Sequence, residues 1–268
     1  MRLLAADIGN TSTAIGLFDE GDLVGSWHAE TDPTVTDDEL ATTVAGLLAL
    51  DGHRMTDVDG AALACVVPPL ALGWTRMLER RAGVAPLIIE AALLKGVLAI
   101  EIDRPAEAGA DRLVNALAAR EEVGGPAIVV DLGTSTNFDV VSAEGAYIGG
   151  AIAPGLGISV DALVSRAARL PRIELRRPPH AIGTNTIHAM QSGAVNGYVG
   201  LLSGLLAALR GELAERSPAG SRVTVLATGG FSIQPWLAEV PGIDRIEPAL
   251  TLRGIRYASQ LVGVEARR

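Results

Sequence analysis

Residues 6–13 read Ala6-Asp7-Ile8-Gly9-Asn10-Thr11-Ser12-Thr13, and residues 130–137 read Val130-Asp131-Leu132-Gly133-Thr134-Ser135-Thr136-Asn137. The two stretches decide the fold because each opens the same longer pattern. Ala14–Phe18 follows the first and Phe138–Val141 the second, both apolar. Next come Asp19-Glu20-Gly21-Asp22 in one copy and Ser142-Ala143-Glu144-Gly145 in the other. Asp7 and Asp131 are as far apart along the chain as Gly21 and Gly145, so the copies keep register and read as an internal duplication. Each copy is a strand, an Asp-x-Gly turn, a second strand, a Glu-Gly turn and a third strand.

Working outward, the apolar pattern predicts helices over 37–50, 69–82, 109–122, 160–170, about 184–213 and 251–263. Further strands are expected over 61–67, 86–90 and 223–227. Strands followed by helix–strand alternation, twice over, predict an α/β protein of two similar domains, each with a mixed central sheet, and a cleft between them. Gly124-Gly125-Pro126 breaks the bridging helix. The expected domains are therefore 1–120 and 121–268.

Composition bounds the rest. Of 268 residues, 49% are hydrophobic and only 3% aromatic, so the core must be aliphatic. The formal net charge of −9 argues against nucleic acid or an anionic membrane as partner. Cys65, the only cysteine, excludes an intrachain disulfide and reads as a buried strand residue. His28, His53, His180 and His188 lack the spacing of a zinc site. Asp7 interrupts the N-terminal apolar run too early for a signal peptide. Ala194–Leu209 is too short to span a bilayer and reads as a buried helix. A cytoplasmic location is expected. Gly193, Gly197, Gly200 and Gly204 would let another element approach that helix closely, by internal packing or at a subunit interface.

The chemistry lies in the turns. An Asp ending a buried strand is costly without a partner. In Asp7-Ile8-Gly9-Asn10-Thr11, Gly9 lets the backbone turn tightly. Asn10, Thr11 and the turn amides can donate to phosphate oxygens, and the carboxylate can meet a hard cation such as Mg²⁺. Asp131 and Thr134 offer the same groups in the second copy. Thr228-Gly229-Gly230 adds a glycine turn suited to a nucleotide. Gly109-Ala110-Asp111-Arg112 opens the bridging helix. There Asp111 is either a helix N-terminal anion or a general base for a substrate hydroxyl, with Arg112 either solvated or a cation for an anionic group.

Together these segments resemble the type III pantothenate kinases. The resemblance includes Gly149-Gly150-Ala151-Ile152-Ala153-Pro154-Gly155, Gly183-Thr184-Asn185-Thr186 and Ala189-Met190-Gln191-Ser192-Gly193. Lesser marks are Thr31-Asp32-Pro33, Val66-Val67-Pro68 and Ala227-Thr228-Gly229-Gly230. It runs nearly end to end and implies duplicated ribonuclease-H-like domains, shared with sugar kinases, actin and heat-shock ATPases. It implies ATP-dependent phosphorylation of pantothenate, the first step of coenzyme A synthesis. It places ATP at Asp7, Ile8, Gly9, Asn10, Thr11, Ser12, Thr13, Ala14 and Thr134, with Mg²⁺ reached by Asp7 through the nucleotide. It places pantothenate at Gly109, Ala110, Asp111 and Arg112, with Asp111 the proton acceptor and Thr186 a further contact. It gives Asp131 a monovalent cation, K⁺ or NH₄⁺, and implies a homodimer. Two stretches depart from the family pattern: Ile102-Asp103-Arg104-Pro105 lacks a pocket aromatic, and Ser135-Thr136-Asn137 replaces Ala-Thr-Thr. These departures raise two alternatives, a regulatory relative or a kinase for another hydroxy acid.

Overall fold

A computed structural model describes residues 1–263. The chain forms two compact units. One holds Met1–Glu122 and the chain from Ala249 onward; the other holds Val123–Pro248.

The first unit begins with β1 (Arg2–Ile8), β2 (Ser12–Asp19), β3 (Asp22–Glu30), α1 (Asp37–Leu50), β4 (Gly60–Cys65), α2 (Pro68–Arg81), β5 (Leu87–Ile88) and α3 (Ala110–Val123). Its sheet has the order β3-β2-β1-β4-β5, antiparallel on the β2 side of β1 and parallel on the β4 side. Buried almost throughout, β1 and β4 are continuous apolar runs, whereas the edge strand β3 is largely exposed. A capping box fixes the start of α1: the Thr36 hydroxyl accepts from the Glu39 amide, and the Glu39 carboxylate accepts from the Thr36 amide at 3.0 Å. The core is largely aliphatic, around Leu4, Ile8, Leu17, Val44, Leu48, Leu63 and Leu78, with the rings of Trp27 and Trp74 buried in it. Each such leucine contributes about 2 kcal/mol of burial.

The second unit runs β6 (Ala127–Leu132), β7 (Ser135–Val141), β8 (Tyr147–Pro154), α4 (Leu156–Arg166), α5 (Thr186–Gln191), a π turn (Ser192–Asn196), α6 (Gly197–Arg216), β9 (Thr224–Thr228) and β10 (Arg245–Ile246). Its sheet order, β10-β9-β6-β7-β8, repeats the first strand for strand. The duplication read from the turns is thus a duplication of topology. Both copies also bulge at the equivalent point, between Leu17 and Phe18 in one and between Asp139 and Val141 in the other.

The equal sequence spacing conceals a difference. Ile8 pairs with Thr13 across the turn Gly9–Ser12, but Leu132 pairs with Thr136 across the shorter turn Gly133–Ser135. The second copy recovers the missing residue in its longer Ser142–Ala146 connection. The first closes the same corner with Glu20-Gly21 alone, both at positive φ.

The last helix, α7 (Leu250–Val262), packs on β1, β2 and β4 of the first unit. This corrects the expected second domain of 121–268: its final segment is folded with the opposite unit. Two helix readings also change. The helix expected over 160–170 starts at Leu156, directly after Pro154-Gly155, and ends at Arg166. The Ala194–Leu209 stretch, read as buried, is buried on one face only, through Val195, Tyr198, Leu202 and Leu206. On its other face Gly193, Gly197, Gly200 and Gly204 meet nothing within 4 Å among the described residues, so the glycines serve no packing within the described chain. By length and composition alone the helix Thr186–Arg216 could cross a bilayer.

Candidate functional site

The predicted residues fall into two groups, one in each unit. In the first, Asp7 is the penultimate residue of β1, half-buried, paired with Ala14 on one side and Ala64 on the other. Two small neighbours leave room around the carboxylate. The turn beyond it is held by its own backbone, the Gly9 amide donating to the Ser12 carbonyl at 3.1 Å. Asn10, Thr11 and Ser12 are therefore exposed on a fixed frame. The end of β3 reinforces that frame: the Thr31 amide donates to the Thr11 carbonyl, and the Thr31 and Thr13 hydroxyls bond at 2.9 Å inside the protein. Thr31 belonged to the predicted pattern as part of Thr31-Asp32-Pro33, but not to the predicted site.

The Gly109–Arg112 segment joins the same edge of the sheet. The Val66 amide, just past β4, donates to the Ile8 carbonyl beside Asp7. A side chain at Gly109 would touch Val66 and would overlap the Asp111 carboxylate. Asp111 sits in the first turn of α3 with its carboxylate over the Gly109 backbone, an approach that only glycine permits. Burial pushes its carboxyl above the ordinary range, while the Arg112 amide and guanidinium pull it back. A partly buried carboxylate whose proton affinity burial raises, beside one cation, is poised to take a proton. Cys65 ends β4 half-buried, its thiol donating to the Val67 carbonyl at 3.2 Å; burial, and then the nearby Asp7 charge, push its pKa up. It is therefore a poor nucleophile.

In the second unit Asp131 occupies the position of Asp7 in its own sheet, paired with Asn137 and Thr228. Its neighbours are polar where those of Asp7 are alanines. Gly229, at φ 89°, lies so close that any side chain there would overlap the Asp131 carboxylate and the Leu132 backbone. The Gly133 and Thr134 carbonyls crowd Gly155 in the same way, and the Gly155 amide donates to the Thr134 carbonyl at 3.1 Å. Asp131 thus lies against the Gly229 turn between polar strand neighbours, and its carboxylate is an oxygen ligand of the kind a hard cation prefers. Among the described residues no three His, Cys, Asp or Glu side chains cluster as a metal cage. Any divalent ion would bring most of its ligands with it, as Mg²⁺ does when it travels with nucleotide phosphates.

Thr186, the first residue of α5, lines a cavity of about 820 Å³ with Leu156, Val160, Ile173, Met190 and Tyr198. The side-chain oxygen of Asn185 caps the helix by accepting from the His188 amide at 2.9 Å. Cavity and strand meet at Tyr198, whose hydroxyl bonds that of Thr136 at 2.6 Å. The ring stands edge-on to Trp236. Burial pushes this phenol up to about 12, and the Asp131 charge adds to the effect. Sequence reasoning missed Tyr198. The only available signal was an aromatic within a glycine-rich apolar helix, and the π turn that rotates the helix just before it leaves no trace in composition.

A family model described as type III pantothenate kinase matches residues 3–208. The chain belongs to the type III pantothenate kinase family. Among its relatives, the type III pantothenate kinase of Moorella thermoacetica is 43% identical over 95% of this chain and 97% of its own. That of Frankia alni is 46% identical over 95% and 97%. Solved structures extend the likeness to fold alone. The ethanolamine utilization protein EutJ from Carboxydothermus hydrogenoformans superimposes with a TM-score of 0.53 at 14% identity, over 96% of this chain and 89% of that one. Component A of the (R)-2-hydroxyglutaryl-CoA dehydratase of Acidaminococcus fermentans gives 0.51 at 16% identity, over 97% and 96%. A type III pantothenate kinase is a phosphotransferase, and the duplicated sheet topology is the frame on which this one is built.

Proposed function

We propose that this chain phosphorylates pantothenate with ATP, opening coenzyme A biosynthesis. The observation that carries the reading is Asp111, a partly buried carboxylate in the first turn of α3 whose pKa burial raises, in a chain of the type III pantothenate kinase family. The pantothenate hydroxyl oxygen attacks the γ-phosphorus and the bond to the ADP oxygen breaks. The hydroxyl proton passes to the Asp111 carboxylate. Gly109, Ala110 and Arg112 hold the substrate beside it, Arg112 meeting negative charge, with Thr186 a further contact. The turn from Asp7 to Ala14, with Thr134, holds the nucleotide. Phosphoryl transfer asks for such positioning and charge neutralisation more than for covalent chemistry.

A divalent ion bound with ATP would be met by Asp7 and would neutralise phosphate charge. Asp131 would hold K⁺ or NH₄⁺ among the backbone oxygens of its turn. The active species is a cytoplasmic homodimer, and the open glycine face of α6 is the surface that lets a second helix approach closely. A coupled assay with ATP, Mg²⁺, K⁺ and pantothenate tests the reading. Turnover that disappears in Asp111→Asn supports it. An absence of turnover in the unaltered protein would sink it in favour of a regulatory relative, and turnover only with another hydroxy acid would sink the choice of substrate.

A further inference from the structure

Helix α3 carries Asp111 at its start and is gripped along its length by α7. The Thr251 hydroxyl donates to the Asn115 side-chain oxygen at 2.9 Å, with both residues buried and Asn115 fully so. One turn on, Gly254 lies against the Val114 carbonyl so tightly that any side chain would overlap it. At the far end the Arg253 guanidinium takes the Glu122 carboxylate with two bonds, of 2.5 and 3.1 Å. Asn115 follows Asp111 by four residues, so the two lie one above the other on the same face of α3. A buried amide oxygen bonded to a donor on a neighbouring helix favours the rotation of its own helix that keeps that bond.

We propose that Thr251 and Asn115 form a positioning pair for the proton acceptor: the bond sets the rotation of α3 and hence the aim of the Asp111 carboxylate. The inference rests on the reading of Asp111 given above. Nothing in the pair touches substrate. Its effect passes through one helical turn, and sub-ångström placement is what a transferred proton and an in-line attack are sensitive to.

The test compares Thr251→Val, which keeps the shape and removes the donor, with Thr251→Ser, which keeps the donor, and with Asp111→Asn. Expected are a fall of about tenfold or more in kcat for Thr251→Val, KM for ATP within about twofold of the unaltered enzyme, and recovery in Thr251→Ser. Should Thr251→Val not fold, Thr251→Ala removes the same hydroxyl without added bulk and is read the same way. A dead Asp111→Asn beside a Thr251→Val of full kcat overturns the positioning role alone. Loss spread equally over kcat and both KM values, unrescued by serine, also overturns it, as the mark of general destabilisation. An active Asp111→Asn instead removes the proton-acceptor reading, and the positioning role with it.

Discussion

The hydroxyls of Thr136 and Tyr198 lie 2.6 Å apart, tying the wall of the apolar cavity to β7, the strand paired with the one that carries Asp131. The phenol is pushed up to about 12, chiefly by burial. The folded state therefore holds its proton where the unfolded chain, near 10, releases it. The contribution to stability is complete below about pH 10 and is lost as pH rises towards 12. Tyr198→Phe should cost about 1 kcal/mol at pH 8. Urea titrations at several pH values should show a shallower fall in stability between pH 10 and 12 for the variant than for the unaltered protein.

Asp111→Asn should separate activity from stability. Turnover should fall by about 10² or more. Burial raises this carboxyl, so the folded state favours its protonated form. The charged form at neutral pH is then a burden on the fold, relieved as pH drops below the ordinary carboxylate range. Asparagine carries no such burden. Its melting temperature at pH 7 should equal or exceed that of the unaltered protein, and the difference should shrink in acid. The acid limb of kcat/KM in the active enzyme should lie above the ordinary carboxylate value.

Gly254→Ala should be costly although alanine favours helices. The added carbon would overlap the Val114 carbonyl, so α7 must move off α3. A loss of about 2 kcal/mol is expected in chemical denaturation, with a larger proportional loss of kcat than of nucleotide affinity.

Asp131→Asn should abolish the response of turnover to K⁺ or NH₄⁺ while leaving the fold intact, because the Gly133, Thr134 and Leu132 backbone that frames the turn is unchanged. Titrating KCl against choline chloride at constant ionic strength checks this. An undiminished K⁺ response in the variant would remove the cation from Asp131.

Gly200→Leu adds bulk where the described chain has open space, so the monomer should fold as before. If the glycine face of α6 meets a second copy, sedimentation velocity should show a dimer for the unaltered protein and a monomer for the variant. A dimeric variant would move the interface elsewhere.

Local signals carried most of the architecture. Helix α1 was legible at both ends because Thr36 and Glu39 form a capping box and Asp51-Gly52 ends the run. The strands beside Asp7 and Asp131 were legible because buried central strands are written as unbroken apolar runs. Helix α4 was placed four residues late because Pro154-Gly155-Leu156-Gly157 carries loop residues where the helix begins. The one-residue difference between the Asp7 and Asp131 turns was invisible, since a second difference downstream cancels it. The residues predicted for the site came from turn chemistry and resemblance. Thr136 and Tyr198 escaped because their link is made by folding, across about sixty residues of chain, and neither is unusual where it stands.

The home of α7 has a consequence for how the molecule is made. The first unit is sewn from the two ends of the chain, with the second unit interposed between α3 and α7. Synthesis exposes β1–α3 long before Leu250 exists, so α3 must wait, its Thr251 partner unmade, while a whole α/β unit is synthesised and can fold ahead of it. The unit that begins first is completed after the other, and the helix bearing Asp111 acquires the support of α7 only once the whole second unit has been made.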